Sequence, residues 1–192
     1  MATIAMGSDE VGGFLAGLPQ ALAPIETYFR SKAESGVWAD KRSGALMAGH
    51  RPDKGAAAFD AIVFPPAPAM SRVAEPPPLS GLYKALNGGF FGRLSIFGRV
   101  GKFSRTMRNP LDSAMAEVWK ANYAPCSSDC SLFASENVSE TGQVGYFVSG
   151  AGEITGRGKL KSSAPAEAGR WETIAEWLED RLPVDGGDPT GF

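Results

Sequence analysis

The sequence predicts a mixed domain in which helices pack on an antiparallel sheet. Three stretches carry that expectation. Gln143-Val-Gly-Tyr-Phe-Val148, the tight turn Gly150-Ala-Gly152 and the returning stretch 153–160 read as an antiparallel hairpin. The stretch 170–182 places Trp171, Ile174, Trp177, Leu178 and Leu182 on one helical face, with Glu172, Glu176, Glu179 and Asp180 on the others. It reads as an amphipathic helix docked on that sheet. In 79–86, Leu79, Leu82, Tyr83 and Leu86 recur at helical spacing, and Asn87-Gly88-Gly89 stops the helix. Glycine adopts the left-handed backbone of such an exit without a Cβ penalty.

With 192 residues the chain can bury one good-sized core. Its 24 glycines and 14 prolines predict long loops and ordered turns. A formal net charge of -2 argues against a nucleic-acid partner, which needs a concentrated basic surface. No run of about 18 apolar residues is present, so no membrane-spanning helix is expected. Residues 1–10 lack the basic-then-apolar order of a secretory signal, and the expected compartment is the cytoplasm.

Taken in order, residues 1–10 read as a loose terminus. Helical intervals run from Val11 to Lys32, broken by Pro19 and Pro24, so a short helix precedes a better one over 24–35. The glycine-rich stretch 36–55 reads as a surface loop carrying a short strand. Phe59-Asp-Ala-Ile-Val-Phe64 is a strand, ended by Pro65 and Pro66. Six prolines within 65–78 make a spacer or rigid crossover before the 79–86 helix. After the glycine exit, 90–97 is an apolar ribbon. Arg99, Lys102, Arg105 and Arg108 form the one basic cluster, which reads as a solvated loop. Asn109 caps a helix over 109–120 whose apolar face is Leu111, Met115, Val118 and Trp119. Leu132-Phe-Ala134 is a short strand before the hairpin. The glycines of the hairpin's return strand, Gly156 and Gly158, mark an edge, a bulge or a close neighbour. Residues 184–192 read as a flexible tail.

Candidate chemistry is sparse. Cys126 and Cys130 are four apart, outside the redox spacing, and read as ordinary thiols. A disulfide, or a zinc site completed by carboxylates, are the alternatives. The single histidine, His50, would need an orienting acid and a nucleophile nearby to act as a general base, and the sequence alone shows neither in place. No catalytic residue, cofactor site or metal site is predicted. An enzyme would have to assemble Tyr83, His50, Asp129 and the two cysteines, which are scattered along the chain.

Several landmarks together resemble the SMI1/KNR4 proteins, the SUKH superfamily. Pro77-Pro-Leu-Ser-Gly-Leu-Tyr-Lys-Ala-Leu-Asn-Gly-Gly89 is similar to that family's Leu-Pro-x-x-Tyr-x-x-Phe-Leu-x-x-Asn-Gly-Gly region. Leu94-Ser-Ile-Phe-Gly98 is similar to the apolar segment that follows it. Leu132-Phe-Ala-Ser135 and the hairpin at 144–154 stand where the family has its central strands. The stretch from Trp171 to Leu182 resembles its closing helix. The resemblance covers about residues 70–183. It departs from the family in the distance to the first helix, which requires an insertion, and in Ser139-Glu-Thr-Gly-Gln143 where a Gly-Gly or Asp-Gly turn is common.

The resemblance implies an α+β fold, an antiparallel sheet with helices packed on one side, with residues 1–69 belonging to the same domain as the 70–183 core. It implies an immunity protein of a bacterial polymorphic toxin system, which binds and neutralises a cognate protein toxin, a nuclease or deaminase, by occlusion. The alternative is a regulatory or scaffold protein of the same fold with non-toxin partners, motivated by the proline-rich spacer. No activity of its own is implied, nor any nucleic-acid or membrane partner; the expected state is a monomer or small homo-oligomer. Glu136, Glu140 and Glu153, around the hairpin, are the candidate partner-binding residues, which would face a basic nuclease cleft; a merely solvated hairpin rim would look the same. Tyr83, Asn87, Gly88, Gly89, Trp171 and Trp177 are assigned structural roles. Gly88→Val is accordingly expected to lower the thermal midpoint, and Glu136→Ala to leave it unchanged.

Overall fold

A computed structural model describes residues 3–5, 12, 13, 15–33, 36–50, 59–66, 76–98, 123, 129–138, 142–159 and 164–182. Among them, ten strands form one antiparallel sheet in sequence order. They are β1 (Thr3–Ala5), β2 (Val37–Asp40), β3 (Leu46–His50), β4 (Phe59–Val63), β5 (Gly89–Phe91), β6 (Leu94–Ile96), β7 (Ser131–Asn137), β8 (Gln143–Val148), β9 (Ile154–Lys159) and β10 (Ala166–Trp171). The helices that pack on them include α1 (Ala23–Lys32), preceded by a 3-10 turn at Gln20–Leu22, α2 (Pro77–Ala85) and α3 (Ile174–Arg181). The fold is α+β, with helices packed against a multi-stranded antiparallel sheet.

The register explains which face is buried. Val37, Ala48, Ala61, Phe91, Leu94, Glu136, Val144, Gly158 and Ala166 lie directly opposite one another in a row from β2 to β10. Paired residues point to the same face of a sheet, so this row lines one side. Apart from Glu136, its side chains are apolar or absent, and the helices pack on it up to Ala166, which is exposed at the end of the row. The next row along the strands, Trp38, Met47, Ile62, Phe90, Ser95, Ser135, Gly145, Arg157 and Glu167, lines the other side.

α1 presents Ile25, Tyr28 and Phe29 to the inner side, α2 Leu79, Leu82 and Tyr83, and α3 Ile174, Trp177 and Leu178. All belong to one apolar core that reaches from Val37 on β2 to Trp171 on β10. α1 packs on β3, β4 and α3, and α3 packs on β10. A flat sheet would separate β3 from β10 by about 33 Å. The sheet therefore curls around the helices, as the twist of strands favours.

Several expectations change. The terminus at 3–5 is an outer strand, paired through Ile4 with Ala39. The described part of the expected surface loop, 36–50, instead supplies two strands, β2 and β3, with Leu46, Met47 and Ala48 at most 4% exposed, and 51–55 lie outside the described residues. Asp40 closes the turn between them by accepting from Ser43 Oγ at 2.6 Å and Ser43 N at 3.0 Å. The apolar ribbon is a hairpin, β5 and β6, turning at Gly92 with φ +62°. The last helix begins at Ile174 rather than 170, and Trp171 ends a strand. Thr173 Oγ1 caps the helix by accepting from Glu176 N at 3.1 Å, while the Glu176 carboxylate accepts from Glu172 N at 2.9 Å. That Thr-x-x-Glu arrangement satisfies donors at the helix start and fixes where it begins. The expected helix over 109–120, Cys126, Glu140 and the 184–192 tail lie outside the described residues.

Candidate functional site

The glycine exit is the first junction the sequence singled out. α2 ends at Leu86, whose backbone is extended (φ -151°, ψ 154°) and whose N–H donates to Leu82 O. Asn87 N then donates to Phe64 O, and Phe64 N donates to Gly88 O, so the exit is stitched to the end of β4. Gly88 has φ +82°, and a Cβ there would lie 2.6 Å from Ile96 O and 2.7 Å from Gly98 N. Gly89 has ordinary strand backbone, but a Cβ would meet Ile62 O at 2.7 Å. Asn87 is 1% exposed, and Tyr83 is 1% exposed within the core. The junction is backbone packed on backbone.

The second concentration of polar groups joins the inner face of β7 and β8 to α3. Glu136 stands in the inner row between Leu94 and Val144 and is 4% exposed. Burying a carboxylate requires partners that hold its charge. Tyr146 Oη donates to Glu136 Oε2 at 2.5 Å, and Arg181 Nη1 stands 3.9 Å from the same oxygen. Arg181 also donates from Nη2 to Asp180 Oδ2 at 2.7 Å, and its guanidinium lies 5.6 Å from the Trp171 ring centre. Asp180 Oδ2 accepts from Trp171 Nε1 at 3.0 Å as well. Burial, and then the Glu136 charge, push the Tyr146 phenol far above its ordinary value, so it remains a donor. Burial works against the Arg181 charge, but the oxygens of Tyr146, Asp180 and Glu136 more than offset it, and its pKa is raised.

Aromatic rings surround this network. Tyr146 meets Trp177 at 5.1 Å and Trp171 at 5.8 Å between centroids, and Phe133 meets Trp177 at 4.8 Å. Phe133 reaches the inner side because the β7–β8 register shifts between Leu132 and Ala134, so two successive residues face inward. Trp171 lies over Gly156 and Gly169, where a Cβ would come within 3.3 and 2.5 Å of the ring. This accounts for a glycine of the return strand: β9 is an interior strand, and Gly156 admits a close neighbour. Gly158 does the same for backbone, since a Cβ would lie 2.1 Å from Gln143 O. Chemically, the network is a carboxylate that accepts a hydrogen bond from a phenol and stands within ion-pair distance of a guanidinium. Its capacity is to fasten α3 to the sheet.

The predicted acidic rim is therefore divided. Glu136 is not on a solvated rim, because the strand phase that puts Ala134 and Val144 inside puts it inside too. Glu153 is half-buried, and its Oε1 pairs with Arg170 Nη1 at 2.7 Å. Arg170 also pairs with Glu167 at 3.1 Å, and Glu167 with Arg157 at 3.5 Å. The hydrogen bond from Arg170 holds the Glu167 carboxyl below its usual range. A second exposed acidic stripe was not predicted as a binding face: Glu172, Glu176 and Glu179 on and just before α3. Glu176 and Glu179, three residues apart in α3, share the side of the helix away from Trp177 and Leu178, and Glu172 precedes the helix with its N–H donating to the Glu176 carboxylate. The four-and-three spacing was visible in the sequence, but a solvated helix face looks the same.

The remaining candidates are separated. Tyr83 is in the core, His50 ends β3, and Asp129 is exposed at the start of β7, with Oδ2 3.4 Å from Gly150 N. Cys130 is half-buried beside Phe97, Tyr123, Leu132 and Phe147 on the outer side of the sheet. Among the described residues no three His, Cys, Asp or Glu side chains gather as a metal site requires, and no helix is long and apolar enough to cross a membrane. No protein-family model, no curated protein and no solved structure matches the chain.

Proposed function

We propose that the protein is an immunity protein that binds a cognate toxin and occludes it. What carries this reading is the ordered set of landmarks similar to the SMI1/KNR4 proteins. The α2 helix, its Asn87-Gly88-Gly89 exit, the β8–β9 hairpin and α3 all contribute to one core. An occluding protein needs a rigid surface with charge complementary to its partner, because an ordered surface loses little entropy on binding. α3 offers such a surface. It is capped at Thr173, its Arg181 stands within ion-pair distance of Glu136, and Glu176 and Glu179 on its solvent side, with Glu172 just before it, are acidic and exposed. The partner this face fits is a basic toxin surface, such as the substrate cleft of a nuclease. Glu153, at the hairpin, is engaged by Arg170.

The test is co-expression and co-purification with the product of an adjacent toxin gene, scored by complex formation and by survival of the cell. The expected result is a stable complex and protection. Glu172→Lys combined with Glu179→Lys should weaken binding at least tenfold while leaving the melting curve in place; Glu176 is spared because it caps the helix. Failure to bind any neighbouring toxin, with the protein folded, removes the reading. Binding and protection that ignore the charge reversal keep the function but move the interface away from α3.

A further inference from the structure

We draw no further inference here: the strongest candidate, the apolar part of the outer sheet face where Trp38, Met47, Ile62 and Phe90 lie side by side across β2 to β5, carries nothing, because Met47 is 1% exposed and nothing among the described residues shows what covers it.

Discussion

The exit after α2 and the ribbon of β8 to β10 both rely on glycines that admit a close neighbour, and they differ in what that neighbour is. At Gly88 it is backbone, the carbonyl of Ile96 and the amide of Gly98. At Gly169 it is a ring, with Trp171 Cη2 2.5 Å from where a Cβ would stand. The distances are nearly equal, but the freedom to respond is not. Backbone beside a sheet ladder is held by hydrogen bonds at Phe97 N and Asn87 N. An indole can tilt, at the cost of contacts to Tyr146 and Arg181. The rigidity of the neighbour, more than the distance, decides how strictly a glycine is required.

Gly88→Val is the largest break of that comparison. The left-handed backbone alone costs a β-branched residue about 1–2 kcal/mol, and the clash with fixed backbone raises the total to about 4 kcal/mol. For a chain of this size that lowers the thermal midpoint by about 10 °C. A melt by circular dichroism measures it. A midpoint within a degree of the parent would mean that the exit rearranges freely. If the variant stayed stable and lost only its partner, the junction would belong to the recognition surface.

Next comes the polar fastening of the ribbon. Glu136→Ala removes the acceptor of a buried phenol and a counter-charge of Arg181, and breaking a buried pair costs about 3 kcal/mol. This reverses the expectation drawn from the sequence, where Glu136 read as a rim residue. Glu136→Gln retains an acceptor for Tyr146 and should cost less than the alanine variant, and equal losses would mean that charge, not hydrogen bonding, carries the effect. Tyr146 adds a dependence on alkaline pH. Its folded value is raised above the ordinary 10.0, so the unfolded phenol ionises first. The stability linked to Tyr146 is therefore full below pH 10 and is lost as the pH rises beyond it. Replacing Tyr146 by Phe should flatten that part of the stability profile.

Gly169→Ala sharpens the comparison from the ring side. The Trp171 indole must yield to the new methyl group, and overpacking of this kind costs about 1–2 kcal/mol. The tryptophan emission should shift, because Trp171 loses its place under Arg181, whereas Gly88→Val acts far from that ring. A loss as large as that of Gly88→Val would show that the indole is as immobile as backbone.

How much of this was legible in the sequence depends on the range of the interactions that decide it. β8 was read over Gln143–Val148, the residues it occupies, because its aromatic and branched groups are bounded by glycines. The α2 exit was legible because Asn-Gly-Gly forces a local stop, and Gly88 takes the positive φ expected of it. β10 was not legible. Ala166-Glu-Ala-Gly-Arg-Trp lacks branched groups and alternation, and it is a strand because β9 pairs with it and Trp171 folds over its glycine. β2 and β3 are four and five residues long, too short for periodicity to stand out among glycines. Glu136 is the instructive case. Its burial follows from register with Leu94 and Val144, and register between segments forty residues apart is a tertiary quantity. One signal was present: Arg181 lies four residues after Trp177 and three after Leu178, on the apolar face of α3, which calls for a buried counter-charge.

Glu153→Ala is the smallest expected effect and separates stability from recognition on the same ribbon. The Glu153 carboxylate pairs with Arg170 at 2.7 Å, but both side chains are about half exposed, at 44% and 58%. Water screens such a pair, and holding two long side chains in place costs entropy, so exposed ion pairs contribute little. Arg170 also keeps Glu167 as a second partner at 3.1 Å, so no charge is stranded. The thermal midpoint should move by no more than about 2 °C. Partner affinity should fall modestly, and only if the partner's basic surface extends from α3 onto the hairpin. Measured beside Glu136→Ala, the two glutamates should give opposite patterns: a large loss of stability at the inner position, and a small one at the outer. A fall in midpoint at Glu153 comparable with that at Glu136 would show that the ion-pair ladder of β9 and β10, rather than the inner network, holds the ribbon together.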